Sequence, residues 1–230
     1  MSLTRRVTAE AVGTAFLVMA VVGSGIAAQR LSPDDVGLQL LENSLVTGAA
    51  LVALILALQP VSASFNPVIT AIERVLGLVT TREAALSVAA QVLGGAVGCV
   101  VANLMFDLDA VSVSDHHRAT AGTLLGEVIA TAGLVVIVFG SLRAGRLETI
   151  AYAVGGYITA AYWFTSSTSF ANPAVTLART LSNTFAGIAP ASAPAFVLMQ
   201  VVGGLVGLGL VTVLQPSPGR ADTAASQPAA

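Results

Sequence analysis

The chain has 230 residues, 55% of them hydrophobic and 10% charged, with a formal net charge of −2. Its mean hydropathy of +0.86 is far above what a soluble domain needs to fill one core, which puts the chain in a bilayer. With no lysine and near balance of charge, nothing points to a nucleic-acid partner or to a tether on acidic lipid.

Apolar stretches recur at about residues 7–29, 43–58, 84–106, 119–142, 149–165 and 195–214, most of them long enough for a hydrocarbon core. They predict six spanning helices in contact with membrane lipid. The first follows Arg5 and Arg6, as a secretory signal would, but it carries Glu10 inside and is too long for a simple signal core, so it reads as a retained span. Cys99, the lone cysteine, lies in the third stretch; it excludes an internal disulfide and reads as helix packing rather than a reactive thiol. His116 and His117 beside Asp115 form a polar loop that reads as solvated, not as a metal site, and no cofactor is expected. No nucleophile, base and orienting acid cluster, so an enzyme is not expected. Residues 216–230, rich in Pro, Ala and Ser, read as a disordered tail after one transmembrane domain at 1–215.

Cytoplasmic loops accumulate basic residues. With the N-terminus inside, Arg5, Arg6, Arg74, Arg82, Arg143, Arg146 and Arg220 are cytoplasmic, against Arg30, Arg118 and Arg179 outside. Both termini are therefore expected in the cytoplasm, with the chain in the cell (inner or plasma) membrane.

Internal similarity then divides the chain. AEAVGT, with Glu10 and Thr14, is echoed by GEVIAT, with Glu127 and Thr131. SFNPVIT at 64–70 is echoed by FANPAVT at 170–176, and QVLGGAVG at 91–98 by QVVGGLVG at 200–207. Each half, about 5–106 and 119–215, reads helix, helix, Asn-Pro loop, helix. Three spans per half is odd, so the second half enters from the opposite face, and the repeats are inverted. Such repeats place a transport site near the midplane, where interrupted backbone lines a cavity.

Asn is a favoured N-cap and Pro a favoured first helical residue. Asn66 with Pro67 and Asn172 with Pro173 therefore predict short helices running to about Leu76 and Leu181, too short to span. Entering from opposite faces, they meet end to end. Two positive helix ends and two amides at a pore centre disfavour cations and donate hydrogen bonds to a passing oxygen.

Two Asn-Pro motifs in matched register resemble those of the aquaporin and glycerol-facilitator family, and the likeness covers essentially residues 5–215. It implies an all-α membrane protein of six transmembrane helices and two half-helices. It further implies a passive channel for small neutral solutes, assembled as a homotetramer with one pore per subunit. The motifs would be Asn66, Pro67, Val68 and Asn172, Pro173, Ala174. Val68 departs from the family's Asn-Pro-Ala and is expected to tighten the junction slightly. By the same resemblance Glu10 and Glu127 accept hydrogen bonds from loop N–H groups; as intramembrane acids they leave open a second reading, an ion-coupled secondary transporter. Gly94, Gly95, Gly98, Gly203, Gly204 and Gly207 are assigned to close helix crossing.

The family's filter includes an arginine directly after the second motif, where this chain has Val175. Counting back from the motifs gives Ala160 and Ser169, with Val46 or, if the preceding loop is one residue short, Thr47. A ring of Thr47, Ala160, Ser169 and Val175 would be wide, weakly polar and uncharged, expected to pass glycerol-like polyols, water, urea and neutral metalloid hydroxides such as arsenite. A branch of bacterial aquaglyceroporins found with arsenic-resistance functions lacks this arginine similarly. Without it, ion leakage is a third reading. Arg179, four residues beyond Val175, falls on nearly the same helix face one turn further out; it would either ring the outer vestibule or reach the headgroups.

Overall fold

The fold is that of a computed structural model, which describes residues 2–215; the expected tail lies outside them. Eight α-helices follow in order among the described residues: α1 (Leu3–Leu31), α2 (Val36–Leu58), α3 (Pro67–Val75), α4 (Thr81–Met105), α5 (Ala121–Arg143), α6 (Ile150–Phe164), α7 (Pro173–Ala178) and α8 (Ala193–Leu214). Five of them are long and apolar enough to cross a membrane. The sixth long element, α6, has 15 residues and is preceded by a 3-10 turn at Leu147–Thr149.

The two halves pack alike. α1 lies along α4, and α5 along α8. At both crossings glycines allow backbone to meet backbone: a Cβ on Gly94 or Gly98 would collide with the carbonyls of Ala11 and Ala15, and one on Gly203 or Gly207 with those of Val128 and Ala132. Apolar lipid offers no hydrophobic drive for helices to associate, so close van der Waals contact over small residues does that work. α2 pairs with α6 in the same manner, Gly48 against Gly155.

α3 and α7 start as their sequences require. Asn66 caps α3 through its side-chain oxygen on the Val68 N–H, and Asn172 caps α7 on the N–H groups of Ala174 and Val175, with proline in the first turn of each. A 3-10 turn at Arg179–Leu181 extends α7. At nine and six residues and about 1.5 Å per residue, neither spans a bilayer. Each docks on the closing helix of both halves: α3 on α4 and α8, α7 on α8 and α4.

Val68, expected at the junction, packs elsewhere. Its Cγ1 occupies the space beside Gly204 of α8, and it does not line the central cavity. The expected tightening of the junction is therefore corrected to a contact with α8: the larger side chain fills a notch left by a residue without Cβ.

Candidate functional site

The two half-helices meet N-terminus to N-terminus through their capping residues. The Asn66 amide donates to the Ala171 carbonyl at 2.8 Å, and the Asn172 amide to the Phe65 carbonyl at 2.7 Å. Each cap thus ties its own helix to the loop before the other. An Asn amide carries two N–H donors; one is used in this cross-link, and both residues line the cavity.

The loops ahead of the caps run irregularly, with Phe65 at φ 48° and Ala171 at φ 48°, and with Thr168 and Ser169 also left-handed. Such backbone costs about 1 kcal/mol or more per non-glycine residue and persists only where surroundings fix it. Two buried carboxylates do so. Glu10 accepts from the Ser64 N–H at 3.0 Å and the Phe65 N–H at 2.8 Å; Glu127 accepts from the Phe170 N–H at 3.0 Å and the Ala171 N–H at 2.9 Å. Behind each stands a glutamine that sequence reading passed over. Gln91 donates to Glu10 and to Thr70, and Gln200 to Glu127 and to Thr176. The signal was present: both glutamines open the QVLGGAVG and QVVGGLVG repeats, amides standing in otherwise apolar spans.

A cavity of about 280 Å³ passes this junction. Its apolar lining includes stripes at four-residue spacing, Thr47, Leu51 and Ile55 on α2 and Ile150, Val154, Ile158 and Tyr162 on α6, together with Leu17 and Val21 on α1 and Leu134, Val138 and Leu142 on α5. The loop segments 61–66 and 169–171 add to the lining. Arg6, Ser62, Ser64 and Glu73 line one mouth. There Ser62 donates to Glu10, and Ser64 to Glu73 at 2.9 Å.

Beyond the Asn pair toward the other mouth, the lining includes Thr47, Tyr162, Ser169, Phe170, Val175 and Arg179. Thr47 is buried on the cavity, while Val46 is 44% exposed on the outer face of α2. Ser169 is buried, and its hydroxyl has no protein partner among the described residues. Ala160 is the exception. It is exposed on the outside of α6 and absent from the lining; the α6 residue at this level is Tyr162, whose hydroxyl is 3.1 Å from Thr47 Oγ1. The α6 stripe of period four would have indicated Tyr162, whereas counting back from the motif assumed a fixed loop length.

The expectation of a ring of small side chains is corrected with it, since Tyr162 brings an aromatic side chain to that level. Arg179, placed by sequence in the vestibule or at the headgroups, is 2% exposed and lines the cavity. Cys99 is fully buried in α4. His116 and Asp115 sit on the surface 3.9 Å apart, and no group of three metal-ligating side chains occurs among the described residues.

Residues 1–149 and 142–230 match the family model described as Major intrinsic protein. The chain is 48% identical over 217 residues to aquaglyceroporin AqpS of Rhizobium meliloti (strain 1021), which covers 94% of this chain and 92% of that relative. The fold superposes on the X-ray structure of the aquaglyceroporin from Plasmodium falciparum with a TM-score of 0.72 at 18% identity, over 91% of this chain and 96% of that one.

Proposed function

Because the chain belongs to the major intrinsic protein family, we propose that it is a passive channel for small uncharged solutes of glycerol size, water among them. The observation that carries this reading is the pair of asparagine-capped helix ends, tied to each other's loops, on a cavity lined also by apolar stripes. A solute crossing there meets amide donors and positive helix ends, which disfavour cations, while the apolar wall offers no site deep enough to hold it.

Arsenite and related metalloid hydroxides are included among the solutes, since Val175 leaves room that an arginine would fill. The working filter in this proposal is Thr47, Tyr162, Ser169 and Val175, with Asn66 and Asn172 at the junction. Assembly as a homotetramer in the cell membrane with cytoplasmic termini completes it. Support for that orientation is the excess of arginines at the end of the bundle carrying Arg6, Arg74, Arg82 and Arg143.

Coupled transport draws no support from the acids on which it would depend. Glu10 and Glu127 each accept both loop amides and a glutamine, so their oxygens hold backbone. Purified protein in proteoliposomes tests the reading: glycerol flux linear in concentration and indifferent to proton or sodium gradients is expected. Uphill accumulation driven by either gradient would overturn it.

A further inference from the structure

A guanidinium lines the lumen with no carboxylate in direct contact with it. Arg179 follows Val175 by one helical turn, at the start of the 3-10 turn that ends α7. Its carbon Cζ sits 3.5 Å from the centroid of the Phe170 ring, and its Nε–H donates to the Ala186 carbonyl. Among the described residues this is the guanidinium's one hydrogen bond, and no carboxylate lies within ion-pair distance of it. The terminal nitrogens therefore retain unused donors on a side chain that lines the cavity.

Phe170 is built as a seat. Its N–H is held by Glu127, its ring meets Phe196 edge to face at 5.2 Å, and Arg118 approaches the same ring at 5.6 Å. Arg118 is itself committed to the carbonyls of Phe185 and Gly187, in the loop that also supplies Ala186. A guanidinium on an aromatic face gains attraction without an acid that would cancel its charge. Burial of a long cation in a membrane protein without a counter-ion marks function by default, and the loop, the ring and the second arginine all hold this one in place.

We propose that Arg179 is the charge-bearing, specificity-determining residue of the outer constriction, displaced one turn outward from Val175 and aimed into the lumen by Phe170. Its free N–H groups take the hydroxyl or carbonyl oxygen of an uncharged solute, and its charge adds a cation barrier to that of the helix ends. The inference rests on the pore reading above. It deepens that reading by locating charge selection at a different residue from the Val175 ring.

The test uses full-length protein in proteoliposomes, as wild type, Arg179→Met, Arg179→Lys and Phe170→Leu. Glycerol and urea fluxes are followed by light scattering, and proton leak by an internal pH dye under an imposed potential. Removing a unit charge within a few ångströms of the path in Arg179→Met is expected to raise proton leak, relative to glycerol flux, by about tenfold or more. Arg179→Lys keeps the charge but loses the planar fork and its stacking; leak is expected to stay low while the glycerol-to-urea ratio shifts several-fold. Phe170→Leu is expected to shift that ratio in the same way.

Wild-type leak and wild-type solute ratios in Arg179→Met would overturn the proposal. If that variant gives no monodisperse protein, unchanged ratios in both Arg179→Lys and Phe170→Leu overturn it instead. Absence of glycerol and urea flux in the wild type is a separate result, which refutes the channel reading rather than the role of Arg179.

Discussion

Replacing Glu127 separates a carboxylate that holds backbone from one that carries protons. In the wild type it accepts from three donors: the N–H groups of Phe170 and Ala171 and the Gln200 amide. Glu127→Leu leaves all three unsatisfied in a buried site, at roughly 1–3 kcal/mol each, so on the order of 3–9 kcal/mol in total. Glu127→Gln can keep its one oxygen where Glu127 Oε2 accepts from both the Ala171 N–H and the Gln200 amide, which leaves the new NH2 group facing the Phe170 N–H. One loop N–H is then left unmatched, a loss of about 1–3 kcal/mol. Thermal unfolding of detergent-solubilised protein, followed by loss of the monodisperse chromatographic peak, is therefore expected to place Leu far below Gln and Gln modestly below wild type. Glycerol flux per folded Glu127→Gln molecule should persist. Equal stability of the two variants would refute the hydrogen-bond argument, and a well-folded Glu127→Gln without flux would return the acid to a transport role.

Four further outcomes follow from the packing. Val175→Arg puts a second guanidinium one turn inside Arg179 and is expected to reduce glycerol and arsenite flux several-fold more than water flux; parallel light-scattering and metalloid-uptake assays read this, and equal loss of all three would remove Val175 from the constriction. Tyr162→Ala should raise the ratio of glycerol to water flux, while Ala160→Leu on the outer face of α6 leaves it unchanged; the reverse order in the same assay would restore Ala160 to the lining. Gly98→Val forces side-chain atoms into the Ala15 carbonyl and is expected to abolish recovery of folded protein from membranes. Gly77→Ala, with open space around its Cβ position but φ at 74°, should cost only about 1 kcal/mol, read as a small fall in melting temperature.

Much of the site was legible because it is written twice. Glu10 with Glu127 and Asn66 with Asn172 recur in register; the asparagines' chemistry is local, since an amide caps the helix that follows it whatever surrounds it, whereas the glutamates' partners lie more than forty residues away and their role came from the family resemblance. The spans were legible for a related reason, since hydrocarbon thickness sets their length and the exclusion of water their composition. Gln91 and Gln200 recur just as plainly, but what an amide in a span bonds to depends on a helix distant in sequence, so the sequence assigned them no role.

Amino-acid order alone determined the inverted pair of halves, the two helix starts at midplane and the absence of arginine after the second motif, because each follows from residue type and spacing. Tertiary structure decided which side chains face the lumen: Tyr162 in place of Ala160, Val68 against Gly204 instead of the junction, and Arg179 seated on Phe170. The reason is geometric. A one- or two-residue difference in an irregular loop turns a helix face by 100° per residue, and the partner that draws a side chain inward belongs to a segment whose position only the assembled bundle fixes.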